Sequence, residues 1–262
     1  MLDEYRAGKF VEVWEKIRAI GDVRGTVFDE AYAVAREMMG RVRDNVLKIR
    51  ERLAEAGYEF AQPAEAYVPP PANQVEMTGK IEEQIGPMPL ALRAFYEVVG
   101  SVNFCQSIRQ LVHWRSTKGH VATNIEKLGA EDPLYVVPLS RIHDDLMFPK
   151  RRPGVEPAYV KFDPEQGRWY CWLGPDELTK AYQSGGDDFH AFIPDRAPDF
   201  RASDLFVCAK EDDEPAKEWF VDYLRQSIKG GGFRGRWDQG TCVKRAPEGE
   251  VVAKVAAGLI EF

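Results

Sequence analysis

GPMPLALRAFYEVVGSVNF, Gly86–Phe104, is the stretch on which the fold reading turns. Leu92, Phe95, Tyr96 and Val99 recur at intervals of three, four and seven, which puts them on one buried face of a helix. Pro89 suits the first helical position, N1, where its missing amide hydrogen costs nothing. Gly100 closes the helix and SVNF begins an extended segment. Just upstream, GKIEEQI supplies a short helix that ends around Gly86.

Downstream the chain alternates strands and turns. DPLYVVPL is a continuous apolar run suited to a buried strand. AYVKF and GRWYCWL are strong strand formers joined by Asp163-Pro164-Glu165-Gln166-Gly167, a hairpin loop in composition. LGPDELTKAY turns helical after Pro175, SGGDD makes a turn, and FHAFI forms another strand. EDDEPAKEWFVDYLRQSIKGGG begins acidic and ends in lysine and glycine, as a helix macrodipole favours. Trp219, Phe220, Tyr223, Leu224 and Ile228 line its inner side. The tail VVAKVAAGLIEF fits either a strand or a short helix. Helices at both ends of hairpin-linked strands argue for an α+β fold, because the connections are too short for helical crossovers.

Towards the amino end the pattern is helical. FVEVWEKIRAI is a short amphipathic segment ending at Gly21-Asp22. A longer run follows, with Phe28, Ala31, Ala35, Met38, Val42, Ile49 and Leu53 on or near one stripe and Gly57 as its stop. That stripe must pack on something, either the rest of the chain or a second copy, so a homo-oligomer through the N-terminal helices is one expectation. QPAEAYVPPPANQ, with Pro69, Pro70 and Pro71, marks the boundary between residues 1–75, a helical extension with a proline-rich connector, and an α+β domain over 76–262. A proline strap lying against a domain has the same composition.

Lys and Arg total 35 against 42 Asp and Glu, a formal net charge of -7. An acidic surface gives no general attraction to phosphate backbones and mildly favours a basic partner. Cys105, Cys171, Cys208 and Cys242 form no C-x-x-C pair and read as free thiols of a reducing compartment. MLDEYRAGKFVEVWEK is too charged for a signal peptide, and no run approaches the length of a membrane span. The expectation is a cytoplasmic protein with no membrane association.

Chemistry-bearing motifs are sparse. His113, His120, His143 and His190 include no H-E-x-x-H, and Gly119 breaks the helical spacing that would set His113 beside His120, with Asp144 or Asp145 as a further ligand. Ser107, Ser140 and Ser184 lack a G-x-S-x-G setting. Glu82-Glu83, Asp144-Asp145, Asp187-Asp188 and the run Glu211 to Glu214 read as solvated loops or helix-start charge. Lys150-Arg151-Arg152 and the pair Arg234 and Arg236 are too small for a nucleic-acid face. GGGFRGRW, Gly230–Trp237, follows a helix, has Lys229 before its glycines and no hydroxyl after them. It is therefore a structural junction, with Gly230 as the C′ cap and Phe233 and Trp237 packing back on the helix. No catalytic, cofactor-binding or metal-binding residue is assigned. The enzyme alternative is a hydrolase or other small-molecule enzyme using a polar cleft near His190 and Asp187.

IEEQIGPMPLALRAFYEVVGSVNF, DPLYVVPL, LGPDELTKAYQSGG and WFVDYLRQSIKGGGFRG, in that order, resemble the SUKH superfamily over roughly residues 76 to 240. This group includes bacterial immunity proteins and fungal regulators of cell-wall glucan synthesis. The strongest piece carries Pro89, Leu92, Phe95, Tyr96, Gly100, Asn103 and Phe104. The resemblance implies a central antiparallel or mixed sheet flanked by helices. It also implies a non-enzymatic protein-binding module, with an immunity protein that neutralises a basic toxin domain as the specific form. Solvent-exposed aromatics would serve such a surface, and Trp169, Tyr170 and Trp172 are candidates. Two departures stand out: Arg234 occupies a place where similar sequences tend to have proline, and the N-terminal extension exceeds what the core domain needs.

Overall fold

The computed structural model describes residues 1–107, 114–115, 121–122, 132–148, 159–165, 167–174, 189–201, 219–238, 243–245 and 250–262. Among them are eight helices and two small three-stranded antiparallel sheets, an α+β fold.

Helices α1 (Leu2–Arg6), α2 (Phe10–Ile20) and α3 (Gly25–Glu55) open the chain. α3 buries Ala31, Val34, Ala35, Met38, Met39, Val42, Val46, Ile49 and Leu53, the predicted stripe with its flanks filled in, and runs unbroken through Gly40. Those residues are covered by the chain itself, since α3 packs against α5 (Leu90–Val98), α7 (Phe220–Lys229) and α8 (Glu250–Ala256). One continuous apolar cluster extends from Tyr5 to Phe262.

The sheet of β1 (Tyr67–Val68), β2 (Ser101–Asn103) and β5 (Tyr135–Val136) grows from the predicted helix-to-strand unit. Val102 pairs with both Tyr67 and Val136. The proline-rich connector therefore starts as a sheet edge lying on the α+β residues. Gly100, at φ +95°, is required there, because a Cβ would stand 2.2 Å from the Val68 carbonyl oxygen. α4 (Gln74–Ile85) ends at Gly86 as expected, but Pro89 is the N-cap and not N1. Its ψ of 138° is extended, and the first amides of α5, Leu90 and Ala91, donate to the carbonyls of Ala197 and Pro198 at 3.1 and 2.8 Å. Tertiary acceptors thus stand in for a capping side chain.

The second sheet is a meander of β6 (Val160–Asp163), β7 (Arg168–Gly174) and β8 (Phe189–Ile193), with Asp163 opposite Arg168 across the predicted hairpin loop. The Val137 amide reaches the Leu173 carbonyl at 2.8 Å and ties the two sheets together. Two short hairpins, β3–β4 (Trp114–Arg115, Val121–Ala122) and β9–β10 (Arg236–Asp238, Val243–Arg245), complete the described strands. Every described ladder is antiparallel. α6 (Leu139–Met147) packs on α4 and β6. The helix expected after Pro175, the SGGDD turn and the acidic run at 211–214 lie outside the described residues.

α7 starts at Phe220 with Trp219 as N-cap, so Asp222 is the acid of its first turn. Its end confirms a junction with a one-residue correction. The Gly232 amide bonds Ser227 and the Gly231 amide bonds Ile228, at 2.8 and 2.9 Å, the reciprocal pair of a Schellman motif. C′ is therefore Gly231, at φ +66°, and not Gly230, whose φ is -86°. Phe233 is buried and its ring meets Tyr58, centroids 5.7 Å apart. The tail resolves as α8 followed by an extended strap to Phe262.

Candidate functional site

A cleft of about 640 Å³ opens where the start of α3, the α4–α5 turn and the 194–199 segment converge. Arg24, Phe28 and Asp29 form one wall, Glu82, Met88 and Arg93 another, and Arg196 the third. Each wall is positioned by local chemistry. Glu82 accepts from the Met88 amide through Oε1 and from Arg93 Nη1 through Oε2, both at 3.2 Å, which fixes the turn. Arg93 Nε reaches Glu97 Oε1 at 3.0 Å, one helical turn on. Across the helix interface, Tyr32 donates its hydroxyl to Glu97 Oε2, and Arg36 reaches the same oxygen at 3.3 Å. Phe28 stacks on Tyr32, with centroids 5.4 Å apart.

The segment bearing Arg196 is pinned from below. Asp199, fully buried, accepts from Trp14 Nε1 (3.1 Å), from Arg18 Nε and Nη2 (3.0 and 2.8 Å) and from the Phe200 amide (3.0 Å). Burial pushes the Asp199 carboxyl up, while Arg18, Trp14 and the Phe200 amide pull it down. Every partner is a donor, so the carboxylate is the form the site accommodates. Arg18 also bridges to Asp222 at 2.9 Å and lies 4.9 Å from the Trp219 ring centroid, joining α2 to α7.

Tyr32 and Arg93 each keep their proton. Burial raises the Tyr32 hydroxyl, and its bond to Glu97 adds to the effect, so Tyr32 remains a donor. Burial works against the Arg93 charge, but Glu82 and then Glu97 outweigh it and raise the group further. The cleft wall presents Arg93 held by two carboxylates, the Phe28 ring stacked on Tyr32, and the exposed Asp29 and Arg196, a pattern for recognition.

Among the described sequence candidates, only Glu82 falls in this cleft. His113, His120, Ser184, Asp187, Asp188, Cys208, Cys242 and Lys150-Arg151-Arg152 lie outside the described residues, as does the side chain of His190. His143 Nδ1 sits 3.4 Å from Asp144, and Asp145 accepts the Tyr159 amide at 2.8 Å. Among the described residues no group of three or more His, Cys, Asp or Glu side chains could hold a metal. Cys171 is buried and its thiol is pushed up to about 12 by that burial, which suppresses thiolate chemistry.

Arg234, grouped from sequence with Arg236 as a basic pair, is buried. Its Nε lies 3.3 Å from Asp132 Oδ2, and its guanidinium sits 5.3 Å from the Tyr223 ring centroid. The sequence hides this because the counter-ion comes from a distant loop. Trp169, Tyr170 and Trp172 are half-buried. Alternation along β7 sends Cys171 and Leu173 into the core and sets Tyr170 and Trp172 on the opposite face, where the Lys161 ammonium stands 4.5 Å from the Trp172 ring centroid.

The cleft residues were missed because three separate segments supply them. The one available signal was the four-residue spacing of Arg93 to Glu97 and of Tyr32 to Arg36. No family model, no curated protein and no solved structure matches this chain. No helix among the described residues is long and apolar enough to cross a membrane.

Proposed function

We propose that this protein is a non-enzymatic, SUKH-like protein-binding module of the cytoplasm, an immunity protein that captures a basic toxin domain. The observation that carries the reading is the cleft. Arg93 on its wall is held charged by Glu82 and Glu97, whereas acid–base catalysis needs a group poised to change its protonation state. The strongest piece of the family resemblance, Pro89 to Phe104, is a buried helix–strand unit, and its helix α5 supplies Arg93 and Leu90 to the cleft wall. A net charge of -7 favours a basic partner and makes association salt-dependent.

The test is co-purification from the native cell at low salt, run in parallel with Asp29→Arg, which reverses an exposed acid of the cleft. The expected result is a basic protein retained by the wild-type chain, lost at high salt and weakened about tenfold or more in the variant. Small-molecule turnover by the purified protein, or a partner that binds both forms equally and resists salt, would overturn the proposal.

A further inference from the structure

The strap that follows α8 is held through its main chain. Asn45, wholly buried on α3, donates Nδ2 to the Ile260 carbonyl and accepts the Ile260 amide on Oδ1, each at 2.7 Å. Arg41, one turn earlier, reaches the Glu261 carbonyl at 3.3 Å, and Arg225 of α7 reaches the Phe262 carbonyl at 2.9 Å. These bonds use no strap side chain; the Phe262 ring provides a buried anchor. The same two arginines also grip the N-terminal helices. The Arg41 guanidinium lies 4.7 Å from the Phe10 ring centroid, and Arg225 Nη2 donates to the Phe10 carbonyl at 3.4 Å.

We propose that the groove between α3 and α7 is a main-chain-reading peptide slot, filled in cis by residues 258–262, whose occupancy holds α1 and α2 in place. The physical link is the shared arginines. With the strap gone, Asn45 loses the two strap bonds that fix its amide. Arg41 and Arg225 then lose the carbonyls that fix their side chains, and their hold on Phe10 slackens with them. Gly258, at φ +63°, sets the bend from which the strap departs. Recognition through carbonyls and one amide is indifferent to whether the segment is covalently attached.

Hydrogen exchange on the full-length chain tests this with Ile260→Pro, which removes the amide Asn45 accepts, and with Phe262→Ala, which removes the anchor and keeps the main-chain bonds. Amides of Leu2–Arg6 and Phe10–Ile20 should exchange about tenfold faster in Ile260→Pro, with Gln74–Ile85 unchanged. A synthetic peptide of residues 258–262 should restore protection in trans, and the same peptide with proline at 260 should not. Unchanged exchange in α1 and α2, or failure of the wild-type peptide to restore it, overturns the proposal. Phe262→Ala, which keeps the main-chain bonds, should leave α1 and α2 protected; if Ile260→Pro also loses protection in α4, the same two outcomes are decided on the chain truncated after Ala257.

Discussion

α3 and α7 end in the same way, and their surroundings make the two ends unequal. Both close in a Schellman motif: Tyr58 bonds back to Leu53 and Gly57 to Ala54, just as Gly232 bonds Ser227 and Gly231 bonds Ile228. Both place glycine at C′ with positive φ, +80° at Gly57 and +66° at Gly231. A Cβ on Gly57 would meet nothing within 4 Å, whereas one on Gly231 would lie 3.1 Å from the Val252 carbonyl oxygen. On Gly232 it would stand 2.9 Å from the Phe104 ring and 3.0 Å from Ile49. Gly57 therefore answers only to backbone conformation. The triple glycine answers also to packing, because α3, α7, α8 and the segment after β2 that carries Phe104 meet at that point. Three consecutive glycines look like a phosphate loop, and here they make room for other parts of the same chain.

Substitutions at the two ends rank this difference. Arg234→Met, just beyond the glycines, should cost the most, about 3–5 kcal/mol in urea unfolding, because it removes the guanidinium that faces the buried Asp132 carboxylate. Gly232→Ala comes next at about 2–3 kcal/mol, from a left-handed backbone combined with contact against Phe104 and Ile49. Gly57→Ala should cost the least, about 1 kcal/mol, since only the backbone conformation opposes it. Equal losses for Gly57→Ala and Gly232→Ala would erase the comparison. A Gly232→Ala loss that shrinks when Ile49 is shortened to valine would sharpen it, by assigning the excess to packing.

The same contrast explains what could be read from the chain. α2, α3, α5 and the hairpin between β6 and β7 follow local periodicity and turn composition, and their predicted positions agree with the structure to within a few residues. Pro89 and Gly230 were each misplaced by one position, because the true boundary depends on partners outside the helix or on how its final turn closes. The cleft was not legible at all. Arg24, Arg93 and Arg196 gain their relation from the docking of Ala197 and Pro198 on the start of α5, and from the Asp199 tie to Arg18 and Trp14. The burial of Arg234 was not legible for a related reason: its counter-ion, Asp132, lies about a hundred residues away in the chain.

The sequence by itself determined an α+β chain with an amphipathic N-terminal helix, a glycine-terminated helix-to-strand unit and a glycine junction unsuited to phosphate. Periodicity and backbone preference act over a few residues, and a linear string records them. Tertiary structure alone decided that the long helix stripe is covered within the chain, that Arg234 is interior, and that three segments build one charged cleft. Those outcomes rest on pairing between groups far apart in sequence, where the balance between desolvation and a compensating partner is settled only once the chain has folded.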